Sequence, residues 1–183
     1  VNLSHYKNRL DEIGTDAGIF TGTRISNMNV LMKGHAIGEF HGYQLDGIYK
    51  SEEEVRNYKN DAGGTVLPYG TSDASTLNAA NYVGQFKVKD VNNDGKIDAD
   101  DRTIIGNPHP DLTGGFNISL TWRDFDLSTY MYYSIGNDLY KHYEYYTMFG
   151  NLQSNYSKDR LAKSWDPVNN PNGIYPLWTT TST

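Results

Sequence analysis

The stretch from 114 to 134, GGFNISLTWRDFDLSTYMYYS, constrains the fold more than any other part of the chain. Phe116, Ile118, Leu120 and Trp122 fall on one side of a period of two, and Asn117, Ser119 and Thr121 fall on the other. Successive side chains of a β-strand point to opposite faces, so this alternation specifies one apolar and one polar face. A two-residue turn at Arg123-Asp124 pairs Trp122 with Phe125, Leu120 with Leu127, Ile118 with Thr129 and Phe116 with Met131. The apolar face then runs unbroken onto the second strand, and Asp126, Ser128, Tyr130 and Tyr132 continue the polar one. A one-residue slip would turn every side chain to the wrong face, so alternation and register support each other. Arg-Asp is an unusual turn for such a hairpin, where Asn-Gly or Asp-Gly is favoured.

A hairpin of this kind has two homes. In a soluble sandwich a second sheet covers its apolar face. In an outer-membrane barrel lipid covers it, and the strands run for about 9–11 residues. Aromatic side chains then mark the interfaces, as Trp122 would at the turn.

Composition narrows the choice of partners. Hydrophobic residues make up 37% of the 183, below the roughly 45–50% of an ordinary globular domain. Fifteen tyrosines stand against six phenylalanines, a bias toward half-wet surfaces, since tyrosine joins an apolar ring to a polar tip. A net charge of −6 without a basic cluster argues against nucleic acid. Cysteine is absent, which removes disulfides, Cys-ligated zinc and a thiol nucleophile together. No apolar run reaches the roughly 18 residues of a membrane-crossing helix. The chain opens on VNLSHY, already alternating and without a leader, and reads as an excerpt of a longer protein.

Elsewhere the signals are short. Residues 1–6 read as the end of a strand. Ile37, Phe40, Tyr43, Ile48 and Tyr49 read as short strands broken by glycine bends at Gly34, Gly38 and Gly42. Ser51-Glu52-Glu53-Glu54 is a capping box that opens a helix over about 52–58, with Glu54 reaching back to the cap. Residues 60–81, rich in Gly, Ser, Thr, Asn and Pro, form a loop.

One loop carries chemistry. DVNNDGKIDADD, residues 90–101, fits D-x-[DN]-x-[DN]-G at Asp90, Asn92, Asp94 and Gly95. Calcium takes hard oxygens from loop positions 1, 3, 5, 7, 9 and 12. Those positions are Asp90, Asn92, Asp94, the Lys96 backbone carbonyl, Asp98 and Asp101. Asp101 replaces the usual Glu and is one methylene shorter, so the loop must tighten to reach the ion. Ile97 should point inward as the anchor. A strand, QFKVK, leads in, and a short helix capped by Asp98 or Asp100 should follow. The expectation is an isolated, structural calcium brace and not a paired sensor. A metal-free turn, with Asp and Asn bonding their own backbone, is the plainer alternative.

Catalytic patterns are missing: there is no HExxH, GxSxG, Walker A or GxGxxG. The five histidines sit in unrelated segments, and no carboxylate pair is placed as a glycosidase needs. The three Asn-x-Ser matches are too short a motif to carry weight.

Four blocks together carry a family likeness: GHAIGEFHGYQLDGIYK (34–50), FKVKDVNNDGKIDADDRTIIGNPHPDLTGGFNISLTWRDFDLS (86–128), GNDLY (136–140) and RLAKSWDPVNNPNGIYP (160–176). In order and spacing they resemble the SusC/RagA family of TonB-linked outer-membrane transporters. Two departures stand out, Ala36 in place of a proline and Asp124 in place of a turn glycine. The resemblance implies an all-β fold: antiparallel strands of a large transmembrane β-barrel, long extracellular loops and a few short helices. The short turn would face the periplasm, with residues 7–113 one long extracellular excursion and 135–183 mostly the next. It implies import of oligosaccharides or peptides, a SusD-like surface lipoprotein as partner, TonB as energy source through a segment outside this chain, and contact with outer-membrane lipid. Asn117, Ser119, Tyr130 and Tyr132 would line the lumen and meet substrate. A secreted, calcium-stabilised β-rich binding or adhesion module is the alternative, and it requires a layer over the hairpin's apolar face.

Overall fold

The computed structural model describes residues 1–15, 18–22, 27–149 and 155–177. Its strands are β1 (Asn2–Ser4), β2 (Ile19–Thr21), β3 (Asn29–Leu31), β4 (Glu39–Gly42), β5 (Leu45–Ile48), β6 (Phe86–Val88), β7 (Thr103–Gly106), β8 (Leu112–Trp122) and β9 (Phe125–Ile135). Helices are short: α1 (Glu52–Asn57), α2 (His142–Glu144), which runs on into a π-helical turn at Tyr145–Phe149, and α3 (Lys158–Lys163). No helix among the described residues is long and apolar enough to cross a membrane. The contacts divide the chain into two units, residues 1–42 with 104–140, and residues 43–103 with 141–183.

The first unit holds two sheets, β1-β8-β9 and β2-β3-β4-β7. In the first sheet β8 and β9 pair antiparallel with Trp122 opposite Phe125, Leu120 opposite Leu127, Ile118 opposite Thr129 and Phe116 opposite Met131, the register the alternation specifies. Each strand is 11 residues long. The turn takes Arg123 into the left-handed region at φ 53°, a conformation that costs a side-chain-bearing residue roughly 1–2 kcal/mol. Its guanidinium lies 5.1 Å from the Trp122 ring centre, a cation–π contact that offsets part of that cost. The left-handed residue is therefore Arg123 itself and not its neighbour Asp124, where the family resemblance places the glycine.

Strand β1 adds to the other edge of β8 with Leu3 opposite Gly114 and Asn2 opposite Gly115. These two glycines are needed for space. A Cβ on Gly114 would lie 2.5 Å from Tyr133 Oη and 2.6 Å from the Asn2 carbonyl oxygen. One on Gly115 would lie 2.8 Å from the Met131 carbonyl oxygen. The Tyr133 ring lies over the bare backbone of Gly114, filling the gap that a missing side chain leaves in a sheet.

The second unit contains β5 paired antiparallel with β6, helix α1 and a small core of Tyr49, Val55, Tyr58, Val66, Ala79 and Ile97. Helix α1 starts as expected, with Ser51 Oγ accepting the Glu54 N–H at 3.1 Å. The Glu54 carboxylate reaches one residue further back than a standard capping box, to the N–H of Lys50 at 2.8 Å. Its other oxygen accepts from Lys87 Nζ of β6 at 2.8 Å, so one side chain caps the helix and ties it to the sheet. Val55 is the single apolar residue of EEEVRN, and it is the residue α1 buries. The loop over 60–81 contains two 3₁₀ turns, Ala74–Thr76 and Ala79–Asn81, and delivers Val66 and Ala79 to the core.

Candidate functional site

The acidic loop is positioned from both ends by the elements its flanks specify. Strand β6 leads in, and a 3₁₀ turn at Ala99–Asp101 leads out, with Asp98 as its N-cap. Ile97 is 4% exposed and sits in the core, anchoring the loop. Asn93 and Gly95 take left-handed backbone, φ 62° and 85°. A Cβ on Gly95 would also lie 3.1 Å from the Thr65 carbonyl oxygen, so only glycine suits that position.

Two carboxylates at the loop's ends are buried, Asp90 at 1% and Asp101 at 0% exposure. Both serve the loop's own backbone. Asp90 Oδ1 accepts the Asn93 N–H at 2.7 Å, and its Oδ2 accepts the Gly95 N–H and Asn60 Nδ2, each at 2.9 Å. Asp101 accepts the N–H of Val91 on one oxygen and of Asp98 on the other, both at 2.9 Å. Burial alone would push the Asp90 carboxyl up. The hydrogen bonds from Asn60, Gly95 and Asn93 outweigh it and hold the group below the ordinary aspartate value.

The remaining positions lie on the exposed side. Asn92 Oδ1 accepts the Asp94 N–H, Asp94 Oδ1 the Lys96 N–H, and Asp98 Oδ1 the Asp100 N–H, each at 2.9 Å. Every donor is a hard oxygen with lone pairs to spare, which is the chemistry calcium takes. Among the described residues, however, no three acidic or imidazole side chains converge closely enough to hold a metal ion. The donor set suits calcium in kind, while hydrogen bonds alone close the loop in this structure.

Sequence reasoning missed the outer half of this brace. Residues 58–67 fold back on themselves, with Asn60 Oδ1 accepting the Gly64 N–H at 2.8 Å and the Val66 N–H donating to Tyr58 O at 2.9 Å. They then grip the acidic loop through the Asn60–Asp90 bond and through Leu67 N–H to Gly95 O at 2.9 Å. Lys89 Nζ adds an exposed ion pair to Asp61 at 2.8 Å.

The four candidate substrate residues fall on the polar face of the hairpin. Asn117 stands directly opposite Tyr130, Tyr132 opposite Gly115, and Ser119 opposite Ser128. Tyr130 and Tyr132 are 69% and 66% exposed. On the other face Leu120 and Trp122 are 59% and 62% exposed, with no described residue laid over them. Trp122 stacks on Phe125 at 6.4 Å and 22°, an aromatic pair at the turn end of the apolar face.

Three of the five histidines share a surrounding that their sequence positions do not suggest. His5, His35 and His109 line one cavity of about 550 Å³ in the first unit. His109 Nε2 bonds the Ile37 carbonyl oxygen at 2.8 Å, His5 Nδ1 the Asp111 carbonyl oxygen at 2.5 Å, and His35 Nδ1 the Glu39 carboxylate at 3.1 Å. The His5 and His109 rings each fasten one segment to a distant one, and His35 makes a local contact four residues along its own segment.

An antiparallel β-protein whose longest hairpin has an apolar face that no described residue covers is the class this geometry defines. No family model matches the chain. Three TonB-dependent receptors of Formosa agariphila are similar to it. One is 29% identical over 175 residues, taking in 92% of this chain and 15% of its own length. A second is 30% identical over 183 residues, taking in 90% of this chain and 17% of its own length. A third is 34% identical over 110 residues, 60% of this chain and 9% of its own length. The chain belongs to the TonB-dependent receptor family, proteins of the outer membrane of Gram-negative bacteria. It spans between 9% and 17% of the length of these relatives.

Proposed function

We propose that this chain is part of an outer-membrane importer of the SusC type, which takes up oligosaccharides or peptides with energy delivered by TonB. It acts as a transporter and not as an enzyme. The observation that carries the reading is the hairpin β8–β9: two 11-residue strands with one continuous apolar face that no described residue covers. Lipid is the cover such a face takes when the strands belong to a closed barrel. A secreted module would need a second layer over Leu120 and Trp122, and no described residue forms one.

In this reading the Arg123-Asp124 turn faces the periplasm, and residues 7–113 and 135–183 form extracellular excursions. Residues 150–154 and 178–183 of the second excursion lie outside the described residues. Asn117, Ser119, Tyr130 and Tyr132 line the lumen, offering hydrogen bonds and flat rings to a passing substrate. A SusD-like surface lipoprotein closes over the mouth. The acidic loop braces the first excursion, with calcium held by Asp90, Asn92, Asp94, the Lys96 carbonyl, Asp98 and Asp101. Motif spacing and the left-handed Gly95 support the calcium assignment, and the loop's own hydrogen bonds supply the framework on which the ion would sit.

Growth tests the reading. Cells lacking the receptor are grown on single oligosaccharides or peptides as sole carbon source, beside cells lacking TonB. Loss of growth on one substrate class in both strains supports it. Wild-type growth of the receptor mutant on every substrate that needs TonB removes it.

A further inference from the structure

One large cavity of the second unit has no part in the roles described so far. It measures about 800 Å³, within the range of small-molecule sites. Its wall includes Tyr43, Tyr49, Tyr69 and Tyr82, with the amides of Asn81 and Gln85 among them. These residues come from the two flanks of β5, the 60–81 loop, and the chain leading into β6, so no single segment announces the site.

The wall chemistry narrows the ligand. No Asp, Glu, Lys, Arg or His lines the cavity among the described residues, so a charged ligand would lose its hydration without gaining a counter-charge. Val83, Phe86, Val88, Ile97 and Leu177 give the wall apolar surface, and a purely hydrocarbon ligand would cover that surface while leaving the free amides beside it unpaired. The side chains of Asn81 and Gln85 hydrogen-bond to no other described residue, leaving donors and acceptors on offer. Tyr43 Oη and Tyr49 Oη are buried behind the wall, without a partner among the described residues, and the two side chains contribute ring surface to it.

The rings present faces as well as hydroxyls. Tyr43 and Tyr69 meet edge to face at 5.9 Å and 72°. Tyr82 is locked by its hydroxyl, which bonds Thr71 Oγ1 at 2.7 Å, so its ring is held ready before any ligand arrives. Tyr69 is 59% exposed and stands at the opening.

We infer that this cavity binds a neutral saccharide of one or two rings, stacked on Tyr69 and Tyr82 and hydrogen-bonded by Asn81 and Gln85. A sugar ring has the required combination: an apolar face of C–H groups, a rim of hydroxyls and no charge. The site is separate from the polar face of the hairpin. It rests on the oligosaccharide part of the proposed function, and the experiment keeps the two apart.

The full-length receptor in detergent is titrated with glucose, galactose, mannose and the α-1,4 and β-1,4 dimers of glucose, with binding followed by calorimetry and by saturation-transfer NMR. Tyr69→Ala and Asn81→Ala are compared with Tyr132→Ala on the hairpin. Both Tyr69 and Asn81 are exposed, so their truncation leaves the core intact. The expected result is a loss of affinity of about tenfold for each, the scale of one lost stacking or hydrogen-bonding contact. Glu53→Ala, on the exposed side of α1 and outside both sites, should leave this binding unchanged, and Tyr132→Ala reports separately on the hairpin. If saccharide binds equally to parent, Tyr69→Ala and Asn81→Ala while Tyr132→Ala weakens it, the cavity assignment is overturned and the oligosaccharide reading stands. If no saccharide binds the parent and peptides do, both are overturned.

Discussion

Asn60 Nδ2 donates to Oδ2 of Asp90 at 2.9 Å, joining the first acid of the calcium-type loop to a residue thirty positions upstream of it. The bond is part-buried and its acceptor is an ionised carboxylate, so it belongs to the stronger class of hydrogen bond, about 1.5–3 kcal/mol. Asp90 in turn holds the N–H groups of Asn93 and Gly95. Removing the Asn60 amide leaves a buried charge with one donor fewer, and the loss falls on the loop's own turns. Asn60→Ala should therefore speed amide exchange at Asn93 and Gly95 by about 10–100-fold with strand β8 unaffected. Unchanged exchange at those two amides would show that Asn60 is a bystander.

The same carboxylate sets an acid limit. Its folded-state value lies below the ordinary 3.8, so the folded chain binds that proton less readily than the unfolded chain does. The ionised group contributes stability that is complete above the ordinary value and drains away as pH falls through the lower, folded one. Protection of the Asn93 and Gly95 amides, corrected for intrinsic exchange, should stay flat from neutrality down to about pH 4 and collapse below it. In Asn60→Ala the acid-dependent loss should begin at the same pH but be smaller, because one of the bonds that lowers the folded value is gone and that value moves up toward the ordinary one. A collapse between pH 5 and 7 would point to a different group.

Calcium can be separated from the hydrogen-bonded framework by choosing exposed ligands. Asp90 and Asp101 hold backbone, so their loss would damage the loop with or without an ion. Asp94 and Asp98 are exposed and accept only local bonds, Asp94 from the Lys96 N–H and Asn92 Nδ2, and Asp98 from backbone N–H groups of the turn it caps. Calorimetry of the receptor with calcium should give a Kd on the order of 10⁻⁴ to 10⁻³ M, abolished in Asp94→Ala and Asp98→Ala. Equal heats in parent and both variants would remove the site and leave the loop as a hydrogen-bonded brace.

What the sequence made legible was local or periodic. The hairpin register could be read because each of its 11 pairs is fixed by one alternation, and a slip would have reversed all of them. The glycine at position 95, the anchor Ile97 and the cap Asp98 could be read because the loop motif numbers its own positions. Asn60 could not, since nothing in NDAGG marks an asparagine as the partner of an acid thirty residues later. Nor could the shared cavity of His5, His35 and His109, or the tyrosine cavity, whose walls come together only when distant segments fold. The Glu54 side chain was half legible: its capping role follows from Ser51-Glu52-Glu53-Glu54, but its bond to Lys87 requires β6 to lie alongside α1. Arg123 was a departure from turn preference that the sequence posed without answering, and the Trp122 ring beneath its guanidinium supplies the reason.

The hairpin's two faces give the sharpest test of the membrane assignment. Leu120 and Leu127 stand opposite one another on the apolar face, and Ser119 and Ser128 on the polar one. All four are exposed in this chain, so burial within it does not distinguish them. If lipid meets the apolar face, Leu120→Arg places a charge in hydrocarbon, at a cost of about 2–4 kcal/mol near the midplane and less toward the interfaces. Ser128→Arg, eight residues on and facing the lumen, places the same charge in water and should cost little. Urea unfolding of the full receptor in lipid vesicles should therefore show a lower midpoint for Leu120→Arg and an unchanged one for Ser128→Arg. Leu127→Arg should match Leu120→Arg, since the two share one patch. Equal tolerance of arginine on both faces would mean that neither face meets lipid, and the barrel reading of β8 and β9 would fall with it.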